Sequence, residues 1–395
     1  MSANWPGHER ELEPDASSPH GDGANPVHLP AVSDAQQATA RGGNGVTPVG
    51  STDPALAPAG PASLDEILAR LDATLTSVEG QCTATNMAAS MTRVLDRRRG
   101  HVYAAMDALG AWINAFLAGQ PSDEEVRDAK ARVTVPLRAW SQTGRVLDRT
   151  LAKLRGYPGD FEVLEILVDG KPSGASLRSR ILDDYYLHTA GSNAIRNRQA
   201  HLAARLGEAL HEEHDGGQSP VRMLSLGCGA ARELTLLVDD PVFLQMTEVT
   251  CVDRDPDGLR YARKRLRKHL DGRVRYVRSD TLRLVRLPNR AHAGYHVIYI
   301  PSVLEFLPDD HVARLIAYCH GLLAPGGRLL ACNLSARTPA NECVLVEWLG
   351  DVQIMRRSEA QLRSIFAATP FGAAAPRFEY ESLGISYLIT AERAA

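Results

Sequence analysis

The sequence predicts a doubly wound, mainly parallel α/β sheet preceded by an N-terminal helical cap domain. Two patterns carry this. From about residue 200 onward, short apolar runs that end in glycine or a carboxylate alternate with helix-length segments, as in Val221–Leu226, Val249–Asp253 and Val274–Val277. Between 63 and 199 apolar residues recur instead at helical spacing, with no strand-like run among them. The expected domains are therefore a tail over 1–62, a helical cap over 63–199 and an α/β domain over 200–395.

Composition narrows the classes. With 395 residues, 44% hydrophobic, and 44 basic against 47 acidic side chains, the chain holds enough apolar material for one large core and a smaller one. The near balance of charge points to no broad electrostatic partner. Six cysteines (Cys82, Cys228, Cys251, Cys319, Cys332, Cys343) have neither CxxC nor Cys/His metal spacing, so no metal is expected and a reducing, cytoplasmic setting is. No export signal or membrane span is legible.

The segment 1–62 is rich in Gly, Pro, Ala and Ser and is expected to be disordered, because it has few large apolar side chains to offset the entropy of ordering. Ser63 and Glu66 form a capping-box pattern ahead of Ile67, Leu68 and Leu71, and helical spacing then continues to Trp112 and Phe116. A further helix should start near Ser122 and run towards Leu154, broken at Pro136. Arg155–Phe161, with two glycines and a proline, reads as a rigid turn. In the next stretch Tyr185, Tyr186, His188, Arg196 and Arg198 gather just before the sheet begins. On a helix the two arginines point about 200° apart, so one at most faces a ligand.

Val221 to Leu226 reads as a buried strand, and Gly227-Cys228-Gly229 as a tight turn into a helix. Glycine at 227 and 229 lets a ligand approach the backbone, and a helix start offers unpaired N–H groups. Asp253 ends the second strand 24 residues after Gly229 (253 minus 229), where a carboxylate suits a ribose. Asp280, after the third strand, suits an adenine amino group.

These segments resemble the class I S-adenosylmethionine-dependent methyltransferases: LSLGCGAA as their first motif, then VTCVDRDPDGLRYA, RSDTL, YHVIYIPSVLEFL and LLAPGGRLLACNLS. The resemblance implies a Rossmann-like methyltransferase sheet with S-adenosylmethionine as cofactor. The motifs add Cys228, Arg254, Thr281 and Pro301 to the cofactor-binding candidates Gly227, Gly229, Asp253, Asp280 and Arg198, the last as a partner for the methionyl carboxylate. Tyr186, as part of a lid over the sulfonium, and Asn333, at a strand's carboxyl end, are the candidate catalytic residues.

A narrower resemblance covers about 153–395. RGYPGDFEVLEIL, AIRNRQAHL, LEFLPDDHVARLI and VEWLGDVQIMRRSEAQL are similar to the bacterial extracellular-factor family of 3-hydroxypalmitic acid methyl ester biosynthesis. It implies O-methylation of the carboxylate of a small or fatty-acyl acid, in secondary metabolism or signalling. Two other classes stay open: a cofactor-consuming cyclase that releases methylthioadenosine, and a non-catalytic cofactor-binding module. The expected partner is a small-molecule acid. The basic run Arg260–Lys268 reads first as a solvated helix face and second as a dock for an acidic acyl carrier protein, and no nucleic-acid-binding pattern is found.

Overall fold

The computed structural model describes residues 62–79, 87–152, 155, 160–270, 272–285, 294–339, 347–348, 350, 352–372 and 375–395. The disorder expected for the tail up to 61, and most of the turn expected over 155–161, lie outside the described residues. Ser63–Ala395 forms one compact unit.

The first helix, α1 (Leu64–Glu79), opens as its sequence requires: Ser63 N–H donates to Glu66 Oε2 at 2.8 Å and Glu66 N–H to Ser63 Oγ at 3.3 Å. It packs with α2 (Met87–Ala118) through Leu71 and Leu75, both fully buried. The next helix, α3 (Asp123–Ser141), has a full capping box between Ser122 and Glu125 and contains Pro136 without interruption. The expected break at Pro136 is thus displaced to 142–145, where Thr143 takes φ +70° and the chain turns into α4 (Val146–Ala152). Helices α5 (Phe161–Asp169) and α6 (Leu177–His188) follow, and α7 (Ala190–Asp215) runs without a break across position 199/200, where the domain boundary was expected.

Seven strands lie in the order β3-β2-β1-β4-β5-β7-β6: β1 (Val221–Leu226), β2 (Thr247–Asp253), β3 (Val274–Arg278), β4 (Tyr295–Ile300), β5 (Leu323–Leu334), β6 (Arg377–Tyr380) and β7 (Ser386–Glu392). The first five pair in parallel, while β7 is antiparallel to both β5 and β6. Strand alternation separates two cores. Leu224 and Leu226 face α11 (Asp309–Leu322) and α12 (Glu359–Ala367), whereas Val221 and Met223 face α7, α8 (Pro241–Met246) and α9 (Pro256–Leu266). Covered on both faces, β1 needs the near-continuous apolar run that its sequence has. The strand order runs outward from β1 through β2 to β3 on one side and resumes with β4 on the other, which makes the carboxyl ends of β1 and β4 the switch point at which such sheets bind ligands.

Candidate cofactor cavity at the carboxyl ends of the strands

A cavity of about 410 Å³ opens at that edge, within the range of small-molecule sites. Its floor is the turn after β1. Gly227, Gly229 and Ala231 take φ of +70°, +52° and +48°, so every second residue is left-handed. Gly227 and Cys228 both donate N–H to Val252 O, at 2.9 and 3.1 Å, which ties the turn to the end of β2. A Cβ at 227 would lie 2.3 Å from Val303 Cγ2, and one at 229 would lie 3.2 Å from Phe161 Cβ. Only glycine combines that backbone with that space. The helix expected directly after the turn is instead a short 3₁₀ segment, Glu233–Leu237, whose N-cap makes no side-chain hydrogen bond. Ala231 at positive φ prevents regular helix from starting earlier.

Asp253 closes one side. Its Oδ2 accepts from Gly229 N–H at 2.7 Å and its Oδ1 from Asp255 N–H at 2.8 Å. Burial pushes its pKa up, and the two amides oppose that shift. A carboxylate has about four acceptor sites, so capacity is left for two ligand hydroxyls. Asp280 caps the short α10 (Thr281–Leu284) through Leu282 N–H at 2.8 Å while lining the cavity together with Thr281. Cys228, Arg254, Pro301 and Arg198 line it as well. All nine expected cofactor-binding positions therefore border one space. A glycine cradle with no room for a Cβ, beside a buried carboxylate with spare acceptor sites, fits an adenosyl ligand.

Of the two arginines before the sheet, Arg198 reaches the cavity. Buried in α7, it donates to Glu305 Oε1 at 2.9 Å and to Ser302 Oγ at 3.0 Å, so its guanidinium is engaged from within the protein. Arg196 instead donates to Leu167 O and Leu187 O, the carbonyl ends of α5 and α6, where a cation suits the helix dipole.

The two expected catalytic residues do not line the cavity. Tyr186 is buried in α6, edge-on to Tyr185 at 5.6 Å, and its hydroxyl has no partner among the described residues. Tyr185 donates to Asp107 at 2.7 Å, so this aromatic pair packs α6 against α2 and does not close a lid. Tyr186→Phe removes an unsatisfied buried hydroxyl and should stabilise the fold by roughly 1 kcal/mol with unchanged affinity for S-adenosylhomocysteine. Thermal melts and calorimetry check both, and a weakened affinity would return Tyr186 to the site.

Asn333 is fully buried for a structural reason. Its amide donates to Leu334 O at 2.6 Å and Met355 O at 3.3 Å and accepts from Arg357 at 2.9 Å. Arg357, also buried, donates to Leu304 O at 2.8 Å and to Asp309 at 2.8 Å as well. Asp309 lies in the first turn of α11 and holds this arginine. Arg357→Ala leaves the Leu304 and Leu307 carbonyls and Asn333 Oδ1 without their donor, while the exposed Asp309 turns to water, so urea melts should show a loss of roughly 1–3 kcal/mol.

Residues that sequence reasoning passed over complete the walls. Phe161, Leu164 and Glu165 share one face of α5 at i, i+3, i+4 spacing, which was the available signal. Glu165 pairs with Arg232 at 3.0 Å and with Arg265, so one member of the basic run turns inward to the site. Arg155 bridges Glu162 at 2.6 Å, Asp255 at 3.1 Å and Asp257 at 2.6 Å, with its guanidinium 4.6 Å from the Phe161 ring centre. It joins the pre-sheet segment to the turn after β2. Glu233, also on the wall, accepts from Tyr299 Oη at 2.7 Å.

Residues 224–329 match a family model described as a methyltransferase domain. The uncharacterized protein YnbC of Escherichia coli K12 is 23% identical over 170 residues, which are 42% of this chain and 28% of YnbC. Most of that relative's length thus lies outside the match. Among solved structures, a possible exported protein from Bordetella parapertussis is 19% identical and covers 86% of this chain and 100% of its own, with a TM-score of 0.52. Magnesium protoporphyrin IX methyltransferase from Synechocystis PCC 6803, solved with bound S-adenosylmethionine, is 17% identical and covers 51% of this chain and 83% of its own, with a TM-score of 0.37. The matched region is thus similar to a methyltransferase domain.

Proposed function

We propose that this chain O-methylates the carboxylate of a small or fatty-acyl acid, in secondary metabolism or signalling. The observation that supports it is the set of ionisable groups around the cavity, which consists of the carboxylates Asp253, Asp280, Glu165 and Glu233, the guanidinium groups Arg198, Arg232 and Arg254, and the Cys228 thiol, whose pKa burial pushes up. Arginine is never a base at neutral pH, and these carboxylates are engaged by amides, ion pairs or Tyr299. A carboxylate acceptor arrives already deprotonated and needs none of them as base. When bound, the cofactor supplies a methyl group activated as a sulfonium. The chain's own share is to hold both reactants in register and to exclude water behind Phe161, Val303 and Phe306.

We place this activity in the cytoplasm, on the strength of the unpaired buried thiols of Cys228, Cys251, Cys319 and Cys332. No helix among the described residues is long and apolar enough to cross a membrane. An acyl carrier protein is a partner compatible with the exposed Arg260, Lys264, Arg267 and Lys268.

The test incubates the protein with S-adenosylmethionine and a panel of hydroxy-fatty, amino and aromatic acids. Acceptor-dependent S-adenosylhomocysteine, with a gain of one methyl group lost again on mild ester hydrolysis, is the expected result. Methylthioadenosine released without any acceptor would replace this reading with a cyclisation.

A further inference from the structure

The cavity has a floor and a cap side. The glycine turn, with Asp253 and Asp280 after β2 and β3, forms a floor that suits an adenosyl ligand laid along the strand ends. Whatever reacts with a ligand held there reaches it from the cap side, past α5, α7 and the segment after β4. That side is mostly apolar, with Phe161 and Leu164 of α5, Leu202 of α7, and Phe306 and Leu307 after β4. Its polar side chains are engaged, with one exception. Arg198 is held by Glu305 and Ser302, and Glu165 by Arg232 and Arg265. The half-buried Gln199 also borders the cavity, and its carboxamide has no hydrogen-bond partner among the described residues. Helix geometry sets its direction. At about 100° per residue, Gln199 lies roughly 60° from both Leu202, which lines the cavity, and Arg196, which donates to Leu167 O at the end of α5, so its amide points beneath α5.

Resting on the reading that the acceptor is a carboxylate, we propose that Gln199 receives it, donating an N–H to one carboxylate oxygen and leaving the other free, with an apolar chain against Leu164 and Phe306. A neutral amide suits this task better than a guanidinium. It orients the acid through a hydrogen bond to a charged acceptor yet leaves the charge unpaired, so the free oxygen keeps its nucleophilicity. The same wall selects monocarboxylic acids with an apolar body, because a second carboxylate would be buried there without a partner.

Steady-state kinetics on the full chain tests it, with the straight-chain acids from hexanoic to hexadecanoic as acceptors, and the alcohol matching the best of them as an uncharged competitive inhibitor. Gln199→Glu sets carboxylate against carboxylate and should raise KM for that acid by about tenfold or more, while inhibition by the alcohol and calorimetric affinity for S-adenosylhomocysteine change by less than about twofold. Gln199→Leu removes the donor without adding charge. It should raise KM by a smaller factor, about three- to tenfold, and again spare the alcohol and S-adenosylhomocysteine; it serves alone if Gln199→Glu does not fold. An unchanged KM in both folded variants would mean that the amide is merely solvated and would overturn the proposal. Equal losses for acid and alcohol, or a matching loss of S-adenosylhomocysteine affinity, would overturn it too, by giving Gln199 a packing or cofactor role. If the unaltered protein methylates dicarboxylic or amino acids but none of the straight-chain series, the proposal falls and the carboxylate reading stands. Methylation of no acid at all would instead overturn that reading itself.

Discussion

Asp253→Ala should weaken S-adenosylhomocysteine binding by about tenfold to a hundredfold, or roughly 1.5–3 kcal/mol. Two losses combine. Ligand hydroxyls at the end of β2 lose a charged acceptor, and the N–H groups of Gly229 and Asp255, now held at 2.7 and 2.8 Å, lose theirs. The second loss loosens the turn that forms the cavity floor, so part of the effect should appear as a lower melting temperature without ligand. Calorimetry on folded protein separates the two, because the ligand-dependent part persists at temperatures well below the transition. A folded Asp253→Ala protein whose dissociation constant stays within about twofold of the parent would remove Asp253 from the site.

Gly227→Val should abolish measurable binding. The backbone there has φ +70°, which alone costs a residue with a Cβ about 1–2 kcal/mol. In addition, the new Cβ would sit 2.3 Å from Val303 Cγ2, so Val303, itself part of the cavity wall, must move. Gly326→Ala is the control: φ is +77° there, but nothing lies within 4 Å of the added Cβ and the position is not in the cavity wall. The control should lose a little stability and keep its affinity. Equal affinities in the two variants would mean that the glycine turn serves folding only.

The centre of the sheet was legible because β1, β2 and β4 are buried on both faces and so must be largely apolar, and the turn glycines mark positions that no other residue can occupy. Gly227, Asp253 and Asp280 announce themselves by spacing. Pro136 misled, since α3 accommodates it within the helix and the real break falls where Thr143 turns left-handed. Tyr186 and Asn333 misled for a different reason. Each has the chemistry of a site residue and a sequence position near the correct edge, but packing directs one against Tyr185 and the other onto Arg357. Nothing local encodes such direction. Glu233 was hidden in the opposite way, within a motif read for its glycines, and only the approach of Tyr299 from β4 reveals it. Long-range pairings such as Arg198 with Glu305 and Arg155 with Asp255 are likewise properties of the fold and not of any segment.

Crystallisation with S-adenosylhomocysteine tests most directly whether this cavity is the cofactor site. The expected density has the ribose hydroxyls on Asp253, the adenine edge beside Asp280 and the thioether over the Gly227 turn. Density for the ligand at any other place, or an empty cavity in crystals of a protein that binds the ligand in solution, would contradict it.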